Sequence, residues 1–150
     1  MATQNSTQYG NTQATPRTMN DVNADRGRVR NKAFDFTQSG AGTAGDQAIL
    51  VQMDAGTVRI LEAVVVNSAL GTSRTMDLGH LGYNDVNGDA VAADPDAFSA
   101  DTAVATAGTQ RLILNDVITS QDGFAVAAQI NDGTIPDAAT LNGYITYVVD

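Results

Sequence analysis

The sequence predicts an all-β fold, an antiparallel β-sandwich or jelly-roll-like barrel that carries an extended N-terminal arm. Three observations predict it. Apolar residues recur with a period of two from Ala33 onward. Asn/Asp-Gly pairs punctuate those runs. Of the 17 acidic residues 16 are Asp, whose carboxylate competes for nearby backbone donors and so favours turns over helix interiors. Short strands joined by such turns must each bury one face against a second sheet.

The strands follow in order. Ala33–Thr37 is short and aromatic, and Gln47–Met53 holds the run Ile49, Leu50, Val51. Thr57–Asn67 places Val58, Ile60, Val64 and Val66 on one parity, with Glu62 as a polar intruder on that same parity. Thr75–Leu81, Arg111–Asn115, Gly123–Ile130 and Gly143–Val149 complete the set, and in Gly123–Ile130 the residues Phe124, Val126, Ala128 and Ile130 share a face. Turn chemistry stands at Asp54-Ala55-Gly56, Asn87-Gly88, Asp122-Gly123, Asn131-Asp132-Gly133 and Asn142-Gly143. One helical turn is expected at Asp94, which would cap it with Pro95 at its first position. The stretch 100–107 is left open between helix and loop.

Charge divides the chain. Residues 1–32 carry Arg17, Arg26, Arg28, Arg30 and Lys32 against Asp21 and Asp25, a net +3 (5 − 2), whereas residues 33–150 are −12 (3 − 15). The reading is therefore a flexible basic arm over 1–32, a short strand with a Gly-rich connection over 33–45, and a sandwich body over 46–150. The first 24 residues are rich in Thr, Asn, Gln and Ala and offer too little apolar surface to offset the entropy of ordering them alone. Nucleic acid is an unfavoured partner, because the arm has few charges, no interleaved aromatic residue, and an acidic body behind it. No apolar run approaches the ~20 residues of a membrane span. No basic-then-apolar leader opens the chain, so a non-exported protein without a membrane role is expected.

Cysteine is absent and His80 is the single histidine, which excludes thiol chemistry and sites built from several histidines. Gly40-Ala41-Gly42-Thr43-Ala44-Gly45 matches the spacing of a dinucleotide-binding loop, but a strand-like run with Asp46 at its head follows, so the segment reads as a connection. Asp85, Asn87, Asp89 and Asp96 have the spacing of oxygen ligands in a calcium loop. Ala90 occupies the glycine position of that loop, Asp96 stands for its bidentate Glu, and Pro95 opposes an exiting helix; a solvated acidic loop is the expectation. His80 with Ser68 or Ser73 lacks any nucleophile-elbow context, so no catalytic residue and no cofactor are assigned.

Val58-Arg59-Ile60-Leu61-Glu62-Ala63-Val64-Val65-Val66 leads through Leu70-Gly71-Thr72-Ser73 into Thr75-Met76-Asp77-Leu78-Gly79, and the chain closes on Gly143-Tyr144-Ile145-Thr146-Tyr147-Val148. Over roughly residues 46–149 this arrangement resembles the small virion structural proteins of tailed bacteriophages, particularly head decoration (cement) proteins. The resemblance implies a non-enzymatic protein on the outer surface of the capsid, partnered with the major capsid protein and commonly a homotrimer. It makes Arg17, Arg26, Arg28, Arg30 and Lys32 the candidate capsid contacts. Another virion component, such as a tail or head–tail connector protein, and a divalent-cation-binding β-domain are the alternatives.

Overall fold

The computed structural model describes residues 29–43 and 45–149; Arg17, Arg26 and Arg28 lie outside them. Ten strands run in order, β1 (Val29–Thr37), β2 (Gln47–Gln52), β3 (Gly56–Asn67), β4 (Thr75–His80), β5 (Tyr83–Asn84), β6 (Ala90–Val91), β7 (Asp94–Ala103), β8 (Gly108–Ser120), β9 (Ala125–Asn131) and β10 (Thr140–Val149). Eight of them form two four-stranded antiparallel sheets, ordered β1-β10-β3-β8 and β2-β9-β4-β7. Without the short β5–β6 hairpin the strands count one to eight, and successive ones alternate between the two sheets except at the step from β4 to β7, which are neighbours in one sheet. That is the jelly roll. The core lies between the sheets, where Val58, Ile60, Val65 and Ile145 of one meet Leu78, Val126 and Ile130 of the other. Each such aliphatic side chain, fully withdrawn from water, contributes about 1.5–3 kcal/mol.

Alternation holds best in β9, where Phe124 just before the strand and Val126, Ala128 and Ile130 within it are all buried as the period of two requires. In β3 it breaks. Val58 and Ile60 point inward, but Ala63, Val65 and Asn67 do so thereafter, leaving Val66 exposed. The ladder explains the change: Tyr147 pairs with Ile60 and the next residue, Thr146, with Glu62, so Leu61 is an extra residue on β3. A bulge of this kind exchanges the two faces of a strand. Val64 and Val66 therefore do not share a face with Val58 and Ile60, and Glu62, the intruder, stands on the outside.

Three further expectations are corrected. The Asp94-Pro95 segment starts a strand, β7, which continues through Ala103. It is an edge strand, bonded to β4 on one side only, so the amide that Pro95 lacks is not required by a second neighbour. Long-range pairing with β4 outweighs the local capping signal. Between the pairs Leu78↔Ser99 and His80↔Asp94, β4 advances two residues and β7 five, so β7 swells outward there. Second, Asn142-Gly143 is no turn but lies within β10, where a Cβ on Gly143 would stand 1.9 Å from the Val64 carbonyl oxygen. Close strand approach, not turn geometry, selects glycine at 143. Third, β1 begins at Val29 rather than Ala33, which takes Arg30 and Lys32 into the sheet.

The swelling of β7 passes directly over Gly79, whose added Cβ would meet the Asp94 carbonyl oxygen at 2.0 Å and the Pro95 carbonyl carbon at 2.4 Å. Both are backbone atoms and cannot rotate away. Gly79→Ala should therefore destabilise the protein by about 3 kcal/mol or more, as overpacking against rigid backbone does. Gly40→Ala, at a position with φ +75° and open space around it, should cost only ~1 kcal/mol. Urea unfolding of the two variants checks the contrast.

Candidate functional site

The two described members of the basic set, Arg30 and Lys32, occupy alternate positions of β1 and lean toward the turn between β2 and β3. Lys32 Nζ forms an ion pair with Asp54 and donates to the Gln52 carbonyl oxygen at 2.8 Å. The Arg30 guanidinium stands 3.7 Å from the same carboxylate. From β10 the Tyr147 hydroxyl donates to Asp54 Oδ2 at 3.0 Å, and Lys32 Nζ lies 5.7 Å from the centre of the Tyr147 ring. One carboxylate thus gathers β1, the β2–β3 turn and β10. The hydrogen bond from Lys32 holds the Asp54 carboxyl below the usual carboxylate range, with Tyr147 and Arg30 adding to it. Burial, then the bond to Asp54, pushes the Tyr147 phenol up. Lys32 and Arg30 are consequently engaged within the chain. Asp54 and Tyr147 are the partners that sequence reasoning missed, because no local spacing links residues 32, 54 and 147.

Asp85, Asn87 and Asp89 lie in the tight connection of the β5–β6 hairpin. Asp85 Oδ1 accepts from the backbone N–H of Asn87 at 2.8 Å and of Asp89 at 2.9 Å, and Oδ2 accepts from Asn87 Nδ2 at 3.2 Å. These bonds, that of the Asp89 amide first, lower the Asp85 carboxyl pKa. The carboxylate closes its own turn. Asp96 belongs to a different element, β7, and among the described residues no three His, Cys, Asp or Glu side chains converge as ligands would. The four residues of the calcium-loop spacing are not brought together.

The glycine-rich segment closes on itself in the same way. Asp46 accepts from the Thr43 amide at 2.6 Å and from its hydroxyl, Gly40 N donates to Asp137 Oδ1 at 2.7 Å, and Gly42 N donates to the Ile135 carbonyl at 3.0 Å. The amides of Gly40, Gly42 and Thr43 thus already have partners, and β2 rather than a helix follows. His80 is buried at the end of β4, packed edge-on against Tyr83 and Phe124 with Phe98 tilted beside it. Its Nδ1 lies 3.1 Å from the Leu81 carbonyl oxygen. Ser68 and Ser73 are at the opposite end of β4, and the Ser68 hydroxyl oxygen accepts from the Thr140 amide at 2.9 Å. The histidine serves an aromatic core cluster.

What remains open to a partner is the outward face of the β1-β10-β3-β8 sheet. On β8 the even residues point to the core and the odd ones outward, which leaves Ile113 75% and Val117 50% exposed. Val66 and Tyr144 are exposed on the neighbouring strands of the same face. Between them Arg111 Nε pairs with Glu62 at 2.7 Å, and this bond raises the pKa of the guanidinium. The alternation Arg111, Ile113, Asn115, Val117 carried the signal, but a period of two does not say which parity faces water.

No family model matches the chain, and no curated protein matches it. Solved structures do. A chain from the capsid of Ralstonia phage GP4 superposes with a TM-score of 0.67 at 20% identity, over 84% of this chain and 88% of that one. A chain of the cyanophage Pam1 capsid asymmetric unit gives 0.62 at 18% identity, over 100% of both. The infectious bursal disease virus VP2 subviral particle gives 0.52 at 17% identity, over 83% of this chain but 33% of that one. The likeness is one of fold. The first is matched over most of both chains, the second over the whole of both, and the third as one part of a longer chain.

Asp54→Asn should lower stability at neutral pH by up to about 1 kcal/mol, the range of partly exposed ion pairs. Because the folded-state pKa of Asp54 is depressed, its contribution is present above the unfolded value of ~3.9 and disappears as pH falls through the folded one. The gap between variant and wild type should therefore close in acid, as thermal melts from pH 7 to pH 3 will show. Millimolar calcium should leave the melting temperature unchanged, since Asp85 already spends its lone pairs on its own loop.

Proposed function

We propose that this chain is a structural protein of a tailed-phage head, a decoration or cement protein that binds the outside of the assembled shell and ties neighbouring major capsid subunits together. One observation carries the reading: the jelly roll matches chains of two phage capsids over 84% and 100% of this chain and 88% and 100% of theirs. The sequence resemblance over residues 46–149 points the same way. A protein of this kind needs no catalytic group. It acts by linkage, binding the assembled shell in preference to separated subunits, and occupancy at a hundred times its Kd stabilises each site by about 2.7 kcal/mol. As a homotrimer it would gain further from tethering, because one engaged copy raises the effective concentration of the others.

The candidate capsid contacts divide. Arg30 and Lys32 stand against Asp54, whereas Arg17, Arg26 and Arg28 belong to segment 1–28, outside the described residues and of net +1 (3 − 2). Charge alone is then a weak source of affinity for the arm. Contact through its many amide and hydroxyl side chains supports the role better.

A shell subunit is the second reading, favoured by the match to one part of VP2. The two part experimentally. A decoration protein should cosediment with cognate heads stripped of accessory proteins and raise their melting temperature, and heads should still assemble without it. Assembly that fails without this chain would instead make it a shell subunit. Deleting 1–28, which stops short of β1, should leave the circular dichroism spectrum and melting temperature of the body unchanged and lower head binding at least tenfold. Undiminished binding would remove the arm from the mechanism.

A further inference from the structure

The outward face of the β1-β10-β3-β8 sheet is unlike the rest of the body in two respects. It carries exposed large apolar side chains among its polar ones, Ile113 and Val117 on the edge strand β8, Val66 on β3 and Tyr144 on β10. The pairing register interleaves them with polar side chains: Tyr144 is opposite Val64 and Val64 opposite Arg111, Thr146, Glu62 and Ile113 form the next row, and Val117 is opposite Arg59. It is also electrically neutral. Two of the three arginines after residue 32, Arg59 and Arg111, stand on it against Glu62 and Asp35, a sum of zero (2 − 2) within a body of −12 (3 − 15).

The charge decides the occupant. Two copies of a strongly acidic chain repel one another over most of their surface, and the repulsion is least where neutral faces meet. On this face Arg111 is already paired with Glu62, so half of its charges meet an incoming copy as an ion pair, and Arg59 donates to Asn115 Oδ1 at 3.3 Å. A strongly basic partner would be drawn elsewhere, to the acidic remainder of the body. β8 is moreover a 13-residue edge strand without proline or lysine.

We propose that a second copy of this chain packs on this face in solution, with Ile113 and Val117 at the centre of the contact. The proposal names the surface for the self-association in the decoration reading but does not need a capsid to be tested. Light scattering after size-exclusion chromatography of the full chain should give a mass that is a multiple of 15.6 kDa. Ile113→Glu and Val117→Glu should each shift it to the monomer at micromolar concentration, with an unchanged circular dichroism spectrum, because both side chains face water in the single chain. Ile113→Arg guards against a purely charge-driven result and should do the same. Since the chain has no cysteine, Ile113→Cys carrying a fluorescent label reports the site directly and should be shielded from iodide in the oligomer.

A monomeric wild type, or an oligomer that all these variants leave intact, overturns the proposal. So does a label at 113 that is shielded only when stripped heads are added, an outcome that would hand the face to a capsid protein and leave the decoration reading standing. A wild type that is oligomeric, is dissociated by these variants and does not bind heads would strike the decoration reading alone.

Discussion

β3 runs through its sheet bonded to β10 on one side and β8 on the other, and the extra residue at Leu61 governs what each half of it offers the core. Without it, the apolar residues of one half would face water whenever those of the other faced inward. With it, Val58 and Ile60 before the bulge and Ala63 and Val65 after it all enter the core. The same step turns Glu62 outward, where it meets Arg111 across the β3–β8 ladder. A single inserted residue thus completes the interior and sets the charge pattern of the exterior.

Polar side chains in this protein mostly bind the chain to itself. Asp77, buried on β4, accepts from the Asp101 amide at 2.8 Å and from Asn131 Nδ2 at 2.6 Å, which couples β7 and β9 to the strand between them. Asp101 has a left-handed backbone, φ 53°, and the bond to Asp77 compensates that conformation. Asp54 performs the corresponding task for β1 and β10. The abundance of aspartate, a surplus of negative charge by count, is in these places a supply of acceptors for amides that the irregular ladders leave unpaired.

This economy bears on function. Loops that had the spacing of a phosphate cradle and of a calcium site spend their donors and acceptors internally, and the histidine is packed among aromatic rings. Among the described residues the outward face of the β1-β10-β3-β8 sheet is neutral and carries exposed apolar side chains, and the segment preceding β1 has a small positive charge. Both suit a protein whose work is contact with other chains.

The sequence by itself determined the fold class, most strand positions and the turns at Asp54-Ala55-Gly56, Asn87-Gly88, Asp122-Gly123 and Asn131-Asp132-Gly133, because period-two burial and positive-φ turn residues act over a few neighbours. The resemblance carried by Val58–Gly79 and the closing strand pointed to phage capsids, and the solved structures that share the fold come from capsids. Only the tertiary structure decided the strand order of the jelly roll, the strand at Asp94–Ala103, the placement of Gly143 within a strand and the capture of Lys32 by Asp54. Each rests on pairing between residues far apart in the chain, such as Val29 with Val148, and non-local energies of that kind override local propensity without leaving a mark at either partner.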